Sequence, residues 1–166
     1  MIRELQYLEN VLLKKSQLKI TNLVEDLECG DYLGYNFNIK DFIIKFRKAK
    51  ITPKKVGLFV SLWKRNHQGE TAPFHEQDSF DLYLIFVEED LNVGCFVFTK
   101  DALIANGILS TSEKEGKRGF RLYPSWCITE NKQAKKTQIW QLHYFIDLNG
   151  GISEAVKKFE KLTSSK

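Results

Sequence analysis

Residues 42–65 read FIIKFRKAKITPKKVGLFVSLWKR, and their two-residue period decides what kind of fold this chain can build. In Phe42 to Lys50, Phe42, Ile44 and Phe46 fall on one face of an extended strand and Lys45 and Arg47 on the other. After the break at Thr52 and Pro53 the alternation resumes. Val56, Leu58, Val60, Leu62 and Lys64 share one face, with Phe59, Ser61, Trp63 and Arg65 opposite. Two strands of this kind require a sheet with at least one face covered.

The same period extends outward. Tyr35 to Ile39 precedes these strands, and Phe80 to Val87 and Val93 to Thr99 follow as a pair joined by an acidic turn. Asn66 to Ser79 reads as loop, Lys100 to Asn106 as a short helix closed by Gly107, Thr111 to Gly119 as a turn, and Phe120 to Tyr123 as a strand. Helical spacing marks the two ends. Ile2, Leu5, Leu8 and Leu12 predict an N-terminal helix over about 2–18. Asn131 can cap a helix running to about Leu148, and Ile152, Val156, Phe159 and Leu162 share one side of a last helix over about 152–163. No linker, repeat or composition break divides the 166 residues. The expectation is one α+β domain with a mixed central sheet flanked by helices.

Composition narrows the function. The chain is 43% hydrophobic and 13% aromatic, enough to build a core and leave some rings as stacking surfaces. A net charge of +4 hides strong segregation. Between Lys40 and Arg65 nine basic residues face one acid, Asp41; between Lys114 and Lys136 seven face Glu115 and Glu130; from Asn66 to Glu113 only Lys100 opposes nine acids. Segregated positive charge attracts phosphates. The charged N-terminus and the lack of a long apolar run point to a soluble cytoplasmic protein with no membrane partner. Cys29, Cys95 and Cys127 form neither a disulfide frame nor a metal pair, so they read as reduced packing thiols.

Several blocks in order carry a family resemblance: Ala49 to Pro53, Gly57 to Asn66, Phe80 to Tyr83, Gly107 to Thr111, Lys114 to Arg118, and Tyr123 to Trp126. Over about Tyr32 to Leu148 the chain resembles the bacterial MepB-like family. The resemblance implies a fold similar to the PD-(D/E)XK nucleases and nucleic-acid binding by a degenerate nuclease without its active site. The residues are consistent with that loss. Such a nuclease needs an Asp/Glu-x-Lys on a strand to hold a divalent ion and orient water, and here Leu62-Trp63-Lys64 has leucine at the acid's place. Lys45, Arg47 and Lys48 stand where a first Asp is needed, and Glu115-Gly116-Lys117 and Glu130-Asn131-Lys132 lie in turns. Asp81 is the one carboxylate in strand context, and His67, Glu70, His75, Glu76, Asp78 and Asp81 match no ligand spacing. No metal, cofactor or catalytic residue is therefore expected. Nor is there a phosphate-cradling glycine loop or a zinc-finger or RNP signature.

The expected function is binding of RNA or DNA, without base specificity, in one cleft lined by Lys45, Arg47, Lys48, Lys64, Arg65, Lys117, Arg118 and Arg121, with Trp63 or Trp126 available to stack. Lys132, Lys135 and Lys136 open the helix that continues with Trp140 and read either as a side wall gripping the backbone or as the wet face of that helix. Two other readings stay open at this stage: a metal-dependent nuclease using Asp81, and a regulatory module whose basic face meets an acidic protein.

Overall fold

The computed structural model describes residues 1–164. In chain order the helices are α1 (Arg3–Leu8), α2 (Lys100–Ala105), α3 (Lys132–Leu142) and α4 (Ile152–Leu162), with α1 continuing through wider and then tighter helical turns to Ser16. The strands are β1 (Thr21–Glu25), β2 (Tyr35–Ile39), β3 (Phe42–Lys48), β4 (Lys50–Ile51), β5 (Leu58–Ser61), β6 (Trp63–Arg65), β7 (Thr71–Pro73), β8 (Leu82–Glu89), β9 (Asn92–Thr99), β10 (Gly119–Leu122) and β11 (Phe145–Asp147).

Six strands form the central sheet in the order β1-β2-β3-β8-β9-β11. β3 and β8 run parallel and every other neighbouring pair antiparallel, so the sheet is mixed and the fold α+β. Period-two alternation separates two cores. Phe42, Ile44 and Phe46 of β3, Leu82, Leu84 and Phe86 of β8, and Cys95 and Val97 of β9 pack against Leu5, Leu8 and Leu12 of the N-terminal helix and Val156 and Phe159 of α4. Tyr83, Ile85, Phe96 and Phe98 point the other way, against Leu58, Val60, Phe120 and Leu122 from the small sheet β10-β5-β4. The long connection between the parallel strands β3 and β8 thus folds into a second layer on the sheet.

Two expectations need correction, and one strand is new. The alternation over 56–65 is continuous in sequence, yet the chain changes sheets at Leu62: β5 pairs with β10, and β6 pairs with β7 inside the stretch expected to be loop. The helix capped by Asn131 ends at Leu142, not near Leu148, because Phe145-Ile146-Asp147 adds to the edge of β9. β1 was not anticipated, being short, polar and at the sheet edge.

Candidate functional site

The cations of β3 do not share a cleft. Lys48 lies on the helix-covered face, its Nζ 3.2 Å from Glu4 and 3.4 Å from Glu88. Arg47 points to the opposite face and is fully buried. Its guanidinium donates to Asp26 at 2.6 Å and to the Phe46 carbonyl at 2.7 Å. Room for it depends on Gly34, where a Cβ would stand 3.0 Å from an Arg47 terminal nitrogen and closer still to Cys29. Lys45 is largely buried too: its Nζ donates to Asn36 at 3.2 Å and sits 4.4 Å from the centre of the Phe74 ring. Burial, reinforced by neighbouring Arg47, pushes this ammonium below the usual lysine value. Arg47 and Lys48 are thus committed to internal acids. The single cleft expected for Lys45, Arg47 and Lys48 with the other cations does not form.

A second group gathers around β6 and β7. Lys64 Nζ donates to Asp78 at 2.7 Å, and Lys100 donates to the Asp78 carbonyl. Burial works against ionisation of Asp78, but the His75 N–H at 2.7 Å and Lys64 prevail and hold its carboxyl below the usual aspartate value. Arg65 bonds the Gly69 carbonyl at 2.8 Å, lies 3.6 Å from Glu28 and stacks 5.4 Å from the Trp63 ring centre. Arg118 reaches Thr71 and Glu115. Leu62 is fully buried, with its N–H on the Arg118 carbonyl. Asp81 accepts the Ile43 N–H at 2.7 Å. Among the described residues no three His, Cys, Asp or Glu side chains gather as a metal-binding group, and the loop cluster from His67 to Asp81 does not converge.

The third group is different. Turn 52–57 presses against β10: Gly57 has φ +86°, and a Cβ there would meet the Leu122 carbonyl at 2.6 Å. Arg121 clasps that turn, bonding Thr52 Oγ1 at 2.5 Å and the Val56 carbonyl at 3.2 Å. On the other side, buried Gln141 of α3 spends both ends of its amide on β10. Its Nε2 donates to the Arg121 carbonyl and its Oε1 accepts from the Tyr123 N–H, each at 2.8 Å. The free edge of the small sheet is thereby tied to α3, and a groove is left between them. Lys54, Lys55 and Arg121 line its open end, and Lys117, Arg121 and Trp140 its narrower end of about 310 Å³.

Here the two basic stretches meet. Arg121 bonds only neutral acceptors, and none of the side chains of Lys54, Lys55 and Lys117 forms an ion pair or hydrogen bond among the described residues. Glu130 is the one acid lining the groove. Lys132, Lys135 and Lys136 extend the charge along the exposed side of α3. They crowd the N-terminal half of that helix, where the backbone dipole disfavours cations, and α3 contains no acid to offset them. Of the residues expected at the site, Lys117 and Arg121 are in the groove. Lys64, Arg65, Arg118 and Trp63 lie around β6 and β7. Trp126 does not line the groove: its indole N–H donates to Glu89 at 2.9 Å and its ring meets Phe145 edge-on. Lys54 and Lys55 were visible as a pair after a Thr-Pro turn. Gln141 gave no signal, while Tyr123 was legible only as an aromatic neighbour of Arg121.

A family model described as MepB-like matches residues 26–147, most of the chain. The chain belongs to the MepB-like family. The crystal structure of MepB superposes with a TM-score of 0.79 at 33% identity, covering 90% of this chain and 99% of that one. A bacterial homing endonuclease, I-Ssp6803I, matches at 15% identity and a TM-score of 0.48, over 98% of this chain and 97% of that one, a likeness too loose to build on. None of the curated proteins matches. Leucine and not an acid stands two residues before Lys64. No described helix is long and apolar enough to cross a membrane.

Proposed function

We propose that this MepB-like protein binds nucleic acid by its phosphates, along the groove between β10, α3 and turn 52–57, and does not cut it. One observation carries the reading: Lys54, Lys55, Lys117 and Arg121, drawn from two distant segments, line one groove and pair with no carboxylate among the described residues. Arg47, Lys48 and Lys64, from the same basic run, are each paired with an acid. A cation left unpaired beside others of its sign is repelled by them. That repulsion is relieved when a polyanion docks and its counterions are released.

The absence of cutting is supported by the burial of Leu62 at the place of the metal-holding acid and by the engagement of Lys64 with Asp78. A Mg²⁺- or Mn²⁺-dependent loss of labelled strand length would restore the nuclease reading. We place the activity in the cytoplasm, in keeping with three free thiols. Burial, with some help from Glu89, raises Cys127 to about 11, and burial raises Cys95 to about 12, so neither is an activated thiolate.

Fluorescence anisotropy with labelled strands over a salt series tests the reading. With the four groove cations and one lysine of α3 engaging about five phosphates, log affinity falls against log salt with a slope of roughly −3.5 for single strands and −4.5 for duplex. A flat response removes the phosphate groove.

A further inference from the structure

We infer that the narrow end of the groove is a pocket for one unpaired base, so that the protein prefers single-stranded nucleic acid. The inference rests on the phosphate groove proposed above and adds what lies beyond the phosphates. The cavity is about 310 Å³, at the small end of the range for ligand pockets, and it is bounded by a strand on one side and a helix on the other. That space suits a single base and its sugar and cannot accept a duplex.

The lining has the chemistry of a base edge. Tyr123, Gln133, Thr137 and Trp140 each bring a polar side-chain group that makes no hydrogen bond among the described residues. Asn106 donates its amide to the Ala102 carbonyl at 2.8 Å, which leaves its side-chain oxygen as an unused acceptor. Donors and acceptors thus stand together in a concavity where the Gln141 amide is fully spent on holding the groove open. A cleft that existed only to carry solvated charge has no use for this set. An unpaired base exposes the alternating donors and acceptors that a duplex hides.

Aromatic surface is present as well. One part of Trp140 is packed on Phe98, with ring centres 5.3 Å apart, and on Tyr144 at 6.5 Å, which fixes the indole at the pocket wall. Tyr123 lies at both ends of the groove, next to Arg121. Lys117 and Arg121 border the same cavity and can hold the phosphates on either side of an inserted nucleotide.

The test uses the full chain, a labelled single strand carrying one 2-aminopurine, the same strand as a duplex, and the variants Thr137→Phe and Gln133→Ala. The expected result for the unmodified protein is quenching of 2-aminopurine on binding and about tenfold tighter binding of the single strand than of the duplex at equal salt. Thr137→Phe fills the cavity without changing charge and is expected to erase that preference while duplex binding persists. Gln133→Ala, on an exposed residue, serves should the larger ring disturb folding: it is expected to weaken single-strand binding severalfold and leave duplex binding as in the parent, and unchanged single-strand binding overturns the pocket. Equal affinity for both forms with no change in 2-aminopurine emission overturns the pocket but leaves the phosphate groove standing. Failure to bind either form overturns the groove itself.

Discussion

Two groups of cations, one on β3 and one lining the groove beside β10, end in opposite circumstances. In β3, Arg47 is sealed against Asp26, Lys48 sits between Glu4 and Glu88, and Lys45 lies under Phe74. Across the small sheet, Lys54, Lys55 and Lys117 form no ion pair among the described residues, and Arg121 uses its guanidinium to clasp a turn. Density of positive charge is alike in the two; availability is not. A basic run therefore announces a binding face only where the fold leaves its charges unpaired. Where it pairs them, the same residues hold layers of the protein together.

The largest expected effect breaks the buried side of this contrast. Arg47→Ala leaves Asp26 without its cation and a hole beneath Gly34, and is expected to lower unfolding free energy by about 3–5 kcal/mol in urea titration. The refolded fraction should bind a labelled strand as before. Loss of binding beyond loss of folded protein would return Arg47 to the interface.

Gln141→Leu comes next. It strands the Arg121 carbonyl and the Tyr123 N–H at the edge of β10, at about 2–3 kcal/mol for the pair. Because the same amide holds α3 to the groove, binding should weaken together with stability. A variant as stable as the parent would show that water replaces the amide.

The pH response sharpens the contrast from the acid side. Asp78 and Glu88 both have folded-state values below their unfolded ones; for Glu88 the Arg3 hydrogen bond is the leading cause, aided by Lys48. A depressed carboxyl contributes stability that is present above the unfolded value near pH 4 and is lost as pH falls through the folded value. Thermal unfolding should therefore drop on acidification below about pH 4. Asp78→Asn should flatten part of that fall, and an unchanged acid limb would mean that Asp78 gains nothing from Lys64 and His75. The smallest effect is expected of Lys64→Ala: its half-exposed pair with Asp78 is worth about 1 kcal/mol or less, and binding should scarcely change.

Much of the architecture was legible because it depends on local period. β2, β3, β8, β9, β10 and α4 follow directly from alternation or helical spacing. β11 did not, since Trp140 to Leu148 keeps an apolar texture compatible with helix and only pairing with β9 makes 145–147 a strand. The crossing at Leu62 was hidden for the reverse reason: an unbroken alternation says nothing about which partner each half finds. The site divides in the same way. The charge runs and the leucine before Trp63-Lys64 could be read directly. That Asp26 would neutralise Arg47 from 21 positions away, and Glu88 would meet Lys48 from 40, could not, because those pairs are products of the tertiary fold.

The most direct test compares salt slopes for one labelled single strand between two variants of equal charge loss per site: Lys54, Lys55 and Lys117 all changed to alanine, and Lys48 with Lys64 changed to alanine. The first is expected to reduce the magnitude of the slope by about 2, some 0.7 for each phosphate contact removed, with the unfolding midpoint almost unmoved. The second is expected to leave the slope as in the parent protein. A slope untouched by the first set and reduced by the second would contradict the account, and would place the polyanion over β3 and β6 instead of in the groove.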